Sequence, residues 1–128
     1  MSSKLTRSGA VRYADKWFSL YIRELTRQKY HVCPFCGGPI EHCFHFFSRV
    51  NYATRWLINN AIGSCAGCNM LMEYSPYKFY KWYASHWGQD LLDEVDRLHH
   101  TIAKFTTQEI IEIGDKFKKM LEDLKEIK

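Results

Sequence analysis

The chain has 128 residues, of which 46% are hydrophobic and 25% are charged, values typical of one globular domain that exclude a disordered or fibrous chain. Its net charge of +4 is uneven, because residues 1–81 carry 11 Lys and Arg against 4 Asp and Glu, whereas residues 82–128 carry 7 against 10. A front half of net charge +7 and a tail of net charge −3 favour a module that binds a polyanion, with chance clustering of solvated charges as the alternative.

An amphipathic helix is predicted from residue 11 to about residue 29. Apolar side chains recur every three or four residues along it, which places them on one face. They are Ala14, Trp17, Phe18, Tyr21, Ile22 and Leu25. Four cations lie within about 60° of one another on the other side, and they are Arg12, Lys16, Arg23 and Arg27. We expect this basic stripe to bind DNA phosphates, and the alternative is an ordinary solvated face.

Four of the five cysteines form two pairs with two residues between the members of each pair. The pairs are Cys33 with Cys36 and Cys65 with Cys68. Two turns of this spacing can point four thiolates at one ion, and tetrahedral all-sulfur sites select zinc or iron–sulfur chemistry. We therefore predict a structural zinc ion held by these four residues, with unliganded thiols or a redox pair as the alternatives. Cys43 lies outside the spacing and is expected to pack within a strand.

The remaining elements are predicted as one strand, a long loop and three helices. In chain order they are a strand at 40–47, an irregular loop at 48–63, a helix from Pro76 to about His86, a helix from Gln89 to about Ala103 and a last helix opened by Thr106. Ser75 and Pro76 suit the start of the first of these helices, and Gly88 suits its end. The buried face of the second helix is predicted to carry Leu91, Val95, Leu98 and Ile102.

The last helix combines a capping signal with a seam of apolar residues. Thr106 and Glu109 have the spacing of a capping box. Apolar residues follow at alternating steps of three and four, and they are Ile110, Ile113, Phe117, Met120, Leu124 and Ile127. Such a seam is typical of contact with another helix, which belongs either to the same chain or to a second copy of it.

Three polar residues near the cysteine pairs indicate a site for chemistry. His45 lies near the end of the predicted strand, Asn60 precedes Cys65 by five residues, and Asn69 directly follows Cys68. A neutral imidazole with a pKa of about 6.5 can accept a proton from water, and a carboxamide oxygen suits a hard divalent cation. His42 is the rival base. Strand alternation places it on the opposite face from His45, so only one of the two is expected to share the site.

The order of these motifs resembles the HNH, or ββα-metal, nuclease module, which is built on a zinc-stapled treble clef. The closer resemblance, over roughly residues 13–125, is to the NinG (Rap) recombination proteins of lambdoid phages. It is carried by His45–Arg49, Arg55-Trp56, Asn60, Cys65–Asn69, Trp87–Asp90, Asp93–Val95 and Thr107–Glu109, with Asp15–Phe18 and Ile22-Arg23 near the start.

The resemblance implies a mainly helical α+β fold with a zinc-stapled treble-clef ββα-metal (HNH-like) core. An N-terminal amphipathic helix precedes this core and C-terminal helices follow it. We expect a single domain over residues 1–128, divided into a basic helix (1–30), the zinc-bound core (31–88) and a C-terminal helical segment (89–128).

The same resemblance implies a structure-specific DNA endonuclease acting on branched recombination intermediates such as Holliday junctions. In the nuclease module a histidine in the position of His45 activates water, an asparagine in the position of Asn60 braces the loop, and Asn69 would bind a catalytic Mg²⁺ or Mn²⁺ ion. The alternative for Asn69 is a cap for the next turn. We expect Arg49 and Arg55 to hold phosphate oxygens, with solvated loop charges as the alternative.

The chain departs from the family pattern at three places. Phe44 stands where many HNH modules have an acidic or histidine metal ligand, so cation binding would rest on Asn69, phosphate and water. The stretch Met70–Ser75 replaces a run of Lys and Ser-Gly-Asn, and Ile62 stands where a histidine is expected. These departures favour weaker phosphate contacts from this loop.

The expected partner is DNA, and a homodimer is expected because two active sites related by a twofold axis can make the two symmetric cuts that a four-way junction needs. The seam of the last helix is the candidate dimer surface. With no apolar stretch near 18 residues and no signal peptide, we expect a cytoplasmic protein with no membrane segment. The alternatives are a nonenzymatic zinc protein that binds branched DNA and a duplex-specific HNH nuclease.

Overall fold

Six α-helices and two short strands are present in residues 5–126, the part of the chain that this computed structural model describes. In chain order they are α1 (Arg7–Tyr30), β1 (His42–His45), α2 (Tyr52–Arg55), β2 (Ala61–Ser64), α3 (Ala66–Leu71), α4 (Pro76–Trp87), α5 (Gln89–His99) and α6 (Thr107–Glu126), with a 3₁₀ turn at Ile58–Asn60. The mainly helical α+β class is therefore confirmed. None of these helices combines the length and the apolar character needed to cross a lipid bilayer.

The helix ends differ from the predicted ones where local hydrogen bonds decide them. α1 begins at Arg7 rather than at residue 11, because the Thr6 hydroxyl accepts a 3.1 Å hydrogen bond from the Gly9 backbone and caps the helix. α5 ends at His99, four residues before the predicted end, since the amide of Thr101 bonds back to the Leu98 carbonyl in a tight turn. Ile102 is consequently exposed and not part of a buried helix face.

The two strands form an antiparallel pair in which His42 lies opposite Ser64 and His45 lies opposite Ala61. The strand predicted at 40–47 is shorter than expected, and the loop predicted at 48–63 contains α2, the 3₁₀ turn and most of β2. All four residues of β2 are buried, so its sequence has no polar and apolar alternation to identify a strand.

Two apolar cores lie on opposite sides of this small sheet. The first is formed by α1 and α6 with Trp56 and Ala61, and the second by α4, α5 and the first cysteine turn with Phe44 and Phe46. Along β1, Cys43 packs against the first core and Phe44 belongs to the second. His45 follows this alternation and lies on the α1 side, where its ring is 5.8 Å from the ring of Phe18.

α6 uses its apolar seam within the chain. Ile110 and Phe117 are fully buried in the core shared with α1, and three further seam residues pack against that core, namely Ile113, Met120 and Leu124. The capping box is confirmed, because Thr106 Oγ1 accepts from the Glu109 amide at 3.0 Å and the Glu109 carboxylate accepts from the Thr106 amide at 2.7 Å. Ile127 lies outside the described residues. A homodimer would therefore need a surface other than this seam.

Gly63 provides a test of how closely α1 approaches the sheet. Its amide donates a 2.7 Å hydrogen bond to Thr26 Oγ1, and a Cβ atom at residue 63 would lie 2.7 Å from Ile40 Cγ2 and 3.0 Å from Thr26 Cβ. Since both neighbours are buried, we expect Gly63→Ala to lower the free energy of unfolding by about 1–3 kcal/mol in denaturant titrations.

Gly67→Ala is the control for this prediction. The nearest atom to a Cβ there is Cys65 Sγ at 4.0 Å, so its free energy of unfolding should change by less than about 0.5 kcal/mol. Equal stability of the two variants would contradict the close approach.

Candidate metal centre and active-site cleft

The four predicted metal ligands lie together. The sulfur atoms of Cys33, Cys36, Cys65 and Cys68 are all within 4.8 Å of one another. Four sulfurs on a zinc ion, each at about 2.3 Å, would be about 3.8 Å apart, so the cluster has the dimensions of a tetrahedral site. Cys43 is not part of the cluster, as expected. The four cysteines can therefore hold a metal ion, and their all-sulfur donor set suits zinc.

Each cysteine pair is shaped by its own backbone hydrogen bonds. The first pair follows α1, and its turn closes where the Gly37 amide donates to the Cys33 carbonyl at 2.8 Å. Gly37 has a φ of +84°, a conformation that side chains other than glycine rarely adopt. The second pair opens α3, where Cys65 Sγ accepts from the Cys68 amide at 3.3 Å. Protein hydrogen bonds therefore shape both turns, and the sulfurs of the two turns lie close together.

A cleft of about 500 Å³ opens between α1, β1 and the end of α3. Four of the predicted site residues line it, which are Arg23, His45, Arg49 and Asn69. These residues come from four separate parts of the chain, and the fold brings them to one concave surface. Arg55 and Asn60 do not line this cleft.

His45 is held in one orientation by the backbone. Its Nε2 lies 3.0 Å from the carbonyl oxygen of Arg55, which can only accept, so Nε2 carries the proton and Nδ1 keeps its lone pair. In the described part of the chain every buried side-chain nitrogen and oxygen has a hydrogen-bond partner. Nδ1 has none, and it is therefore accessible to solvent. Burial of the ring lowers the pKa of His45 below its ordinary value of 6.5, and the positive charge of Arg49 acts in the same direction.

Arg55 is occupied by Asp15 of α1. Its Nε and Nη2 donate to the two Asp15 carboxylate oxygens at 3.0 and 2.6 Å, and its Nη1 donates to the Arg49 carbonyl at 3.0 Å. Trp56 Nε1 donates a further 3.0 Å bond to Asp15. Only 15% of the Arg55 side chain is exposed. This corrects the prediction that Arg55 binds phosphate, because its guanidinium already has protein acceptors. Asp15 and Arg55 instead position the carbonyl that holds His45.

Asn60 braces the loop and has no polar atom left for catalysis. Its Oδ1 accepts from the Phe47 amide at 2.8 Å, and its Nδ2 donates to the carbonyls of Phe47 and Thr54 at 2.9 and 3.0 Å. The side chain is fully buried. These bonds brace the loop, which is the role that the resemblance implies for Asn60, and the buried side chain cannot act as a catalytic residue on a substrate in the cleft.

The cleft contains acidic residues that sequence reasoning missed. Glu41 and Glu73 both line it, as does Asp15. Glu73 follows Asn69 by four residues, a helical spacing that could have indicated a shared face. His42 also borders the cleft, which corrects the expectation that only one of the two histidines would do so. The cleft curves around β1, an edge of a two-stranded sheet, so residues of both strand faces reach it.

The acidic residues do not form a ready metal site. Within residues 5–126, the four-cysteine cluster is the one group of three or more His, Cys, Asp or Glu side chains that is close enough to share an ion. Phe44 is fully buried in the second core, so the position directly before His45 provides no metal ligand. Asn69 and Glu73 nevertheless offer the oxygen donors that a hard divalent cation prefers.

The basic stripe of α1 is divided by the fold. Arg23 lines the cleft beside His45, whereas Arg27 donates to the Ile40 carbonyl at 3.0 Å and lies 3.7 Å from Glu24. Arg12 and Lys16 are exposed outside the cleft. The cationic wall of the cleft is therefore Arg23 together with Arg49, whose side chain is 62% exposed and lies 3.8 Å from Asp15.

Comparison of the chain with protein-family models, with curated proteins and with solved structures gives no match. The resemblance to the NinG proteins consequently stays a prediction made from the residues quoted above.

Removal of the metal should unfold the region around the cysteines. Thiolate-rich zinc sites bind with about 10–16 kcal/mol, which is comparable to the stability of a whole small domain. We expect one zinc ion per chain by metal analysis and a loss of the cooperative circular-dichroism melt after exhaustive chelation. Cys36→Ser should lose the ion, and Cys43→Ala should retain it. A melt that is the same with and without metal would reject this role.

Asp15→Ala should destabilise the protein because it leaves Nε and Nη2 of the nearly buried Arg55 guanidinium and the Trp56 N–H without acceptors. We expect a loss of about 2 kcal/mol in the free energy of unfolding, measured by denaturant titration. The control is Glu94→Ala, which removes an ion pair to Arg97. The Arg97 and Glu94 side chains are 62% and 49% exposed, so loss of the pair should leave the free energy of unfolding almost unchanged. Similar losses in the two variants would mean that Asp15 is an ordinary surface acid.

Proposed function

We propose that this protein is a metal-dependent endonuclease that hydrolyses phosphodiester bonds in branched DNA, such as four-way junctions. The proposal rests on one observation, the orientation and surroundings of the His45 ring. Its Nε2 is held by a backbone carbonyl, its Nδ1 is accessible, and it shares a cleft with two arginines and Asn69. A neutral base beside phosphate-binding groups is the arrangement that hydrolysis of a phosphodiester requires.

The chemistry of His45 follows from its environment. Because its pKa is lowered, the imidazole is neutral at pH 7 and can accept a proton at Nδ1. A water molecule in the cleft would give up that proton as its oxygen attacks phosphorus. The bond from phosphorus to the leaving sugar oxygen then breaks, and a second water or the imidazolium can protonate that oxygen. The hydrogen bond from Nε2–H to the Arg55 carbonyl would keep the ring in one orientation during these steps.

Two groups of residues would hold the reacting phosphate. Arg23 and Arg49 line the cleft and can donate to phosphate oxygens, with Arg49 the more exposed of the two. Asn69 and Glu73 are the residues that would hold Mg²⁺ or Mn²⁺, with phosphate oxygens and water completing the shell. Such an ion supplies neutralisation of the negative charge that develops on the phosphate.

The choice of branched DNA rests on the resemblance to the NinG proteins. A junction resolvase acting on two strands would use two copies of the cleft, which is the reason for expecting a homodimer. The α6 seam is buried against α1, so we place the dimer contact on another surface.

A nonenzymatic zinc protein that binds branched DNA is the second candidate. It is favoured by one observation, namely that the cleft lacks a cluster of three ligands for a catalytic ion within the described residues. In that case Arg23 and Arg49 would bind phosphate and His45 would have no reaction to catalyse.

Cleavage of a substrate panel tests the proposal. The zinc-loaded protein is incubated with four-way junction, flap and plain duplex, each with and without Mg²⁺ or Mn²⁺. Cleavage confined to the branched substrates and dependent on the cation supports the proposal. Binding without cleavage would favour the nonenzymatic candidate, and nicking of plain duplex would reject the preference for branches.

His45→Ala should reduce the cleavage rate by about 10²–10⁴-fold while junction binding stays nearly unchanged, since it removes a general base. The lowered pKa predicts that the wild-type rate rises with pH, reaches half its maximum below pH 6.5 and is level above neutrality, because the active form of the base is the unprotonated one. His42→Ala is the matched control and should lose less than about tenfold. A larger loss in His42→Ala than in His45→Ala would transfer the role of base to His42.

A further inference from the structure

Two tyrosines are exposed in the segment that directly follows the cleft residue Glu73. Tyr74 and Tyr77 are 75% and 72% exposed, whereas the other Phe, Trp and Tyr side chains of residues 5–126 are buried or half-buried. Met70, another exposed apolar residue, lies in the same short segment. Tyr74 directly follows Glu73, which lines the cleft, so the segment begins at the edge of the proposed site. We call Met70, Tyr74 and Tyr77, with Lys78 and Lys81, the tyrosine surface.

The tyrosine surface is basic as well as aromatic. Lys78 and Lys81 are exposed on α4, and Lys81 Nζ lies 5.4 Å from the centre of the Tyr77 ring. Tyr77 and Lys81 are one helical turn apart on the face opposite Phe79, which is buried in the second core. From Tyr74 to Gln89 the sequence contains no acidic residue. Glu73 is the nearest acid along the chain, and it is on the cleft side of Tyr74.

This composition favours nucleic acid over protein as the occupant. The buried centre of a protein–protein interface is depleted in lysine, whereas single-stranded nucleic acid is bound by aromatic rings that stack on bases, beside cations that contact phosphates. In a duplex, each paired base is already stacked on both of its faces, so no face is free for a tyrosine ring. The surface therefore suits nucleotides whose bases are unpaired.

We infer that Tyr74 and Tyr77 stack on unpaired bases of a DNA strand that leaves the cleft, so that the protein recognises branch points by their single-stranded nucleotides. This inference rests on the proposed function, because it takes DNA to be the ligand of the cleft. It gives that function a physical basis for preferring flaps, gaps and opened junctions to plain duplex.

Binding measurements in a His45→Ala background test the inference without cleavage. Fluorescence anisotropy is measured with labelled single-stranded, flapped and blunt duplex DNA, without added divalent cation. Tyr74→Ala/Tyr77→Ala should raise Kd for single-stranded and flapped DNA by at least about fivefold and change duplex binding by less than twofold. Tyr74→Phe/Tyr77→Phe should bind like the parent, since phenylalanine keeps the ring. Because both side chains are exposed, these variants should fold normally, which a thermal melt verifies.

The position of the contact is tested separately by photocrosslinking. A flap whose unpaired strand carries 5-bromodeoxyuridine should crosslink to the peptide that contains Tyr74 and Tyr77, as read by mass spectrometry. Crosslinks found only elsewhere, or a Kd unaffected by the alanine substitutions, would overturn the inference and leave this surface to another class of partner such as a protein.

Failure of the inference differs from failure of the proposed function. If Arg49→Gln weakens DNA binding while the tyrosine substitutions do not, the DNA-binding cleft stands and only the stacking surface is rejected. If the parent protein binds none of the three DNA substrates, the proposed function is rejected together with the inference.

Discussion

The clustering of four cysteine sulfurs is the constraint on which the rest of the structure depends. Cys36 and Cys65 are 29 positions apart, and the segment between them contains both strands and the loop that supports His45. Cys33 and Cys68 also belong to the second core, where they pack with Phe44 and Phe79. A metal ion bound by the cysteines would add to the stability that this packing supplies, because the folded chain presents the complete site and the unfolded chain does not.

The irregular loop between the strands is held by side chains rather than by regular secondary structure. Backbone groups in such a loop need hydrogen-bond partners. Asn60 and two tyrosines of α4 bond to loop carbonyls directly, and Asp15 holds the side chain of Arg55, a residue of the loop. Tyr80 donates to the Phe46 carbonyl at 2.9 Å and Tyr83 donates to the Asn59 carbonyl at 2.8 Å. Several conspicuous polar residues near the site are therefore structural, and the groups left for chemistry are His45, the exposed Arg49 and the residues around Asn69.

Patterns with a fixed spacing were predictable from the sequence, whereas contacts between distant residues were not, except where a shared metal site was expected to link the two cysteine pairs. The two cysteine pairs and the capping box of α6 depend on neighbours within a few residues, so their geometry could be anticipated. Arg55 could not be assigned correctly, because its partner Asp15 is 40 positions away and on another element. β2 was missed because four buried residues carry no periodic signal. His45 was found by its position in a motif, but its held tautomer depends on the Arg55 carbonyl, which only the folded loop brings near.

The pairing of α1 with α6 has a consequence for the order in which the chain folds. These two helices are the first and last elements described, and they share one apolar core. During synthesis the segment from the first cysteine turn to α5 is complete well before residues 107–126 have left the ribosome. Its aromatic core and cysteine cluster can assemble at that stage, whereas one face of α1 stays uncovered until α6 has been synthesised. Nascent chains therefore pass through a stage that exposes apolar surface, the kind of surface that chaperones bind and that promotes aggregation.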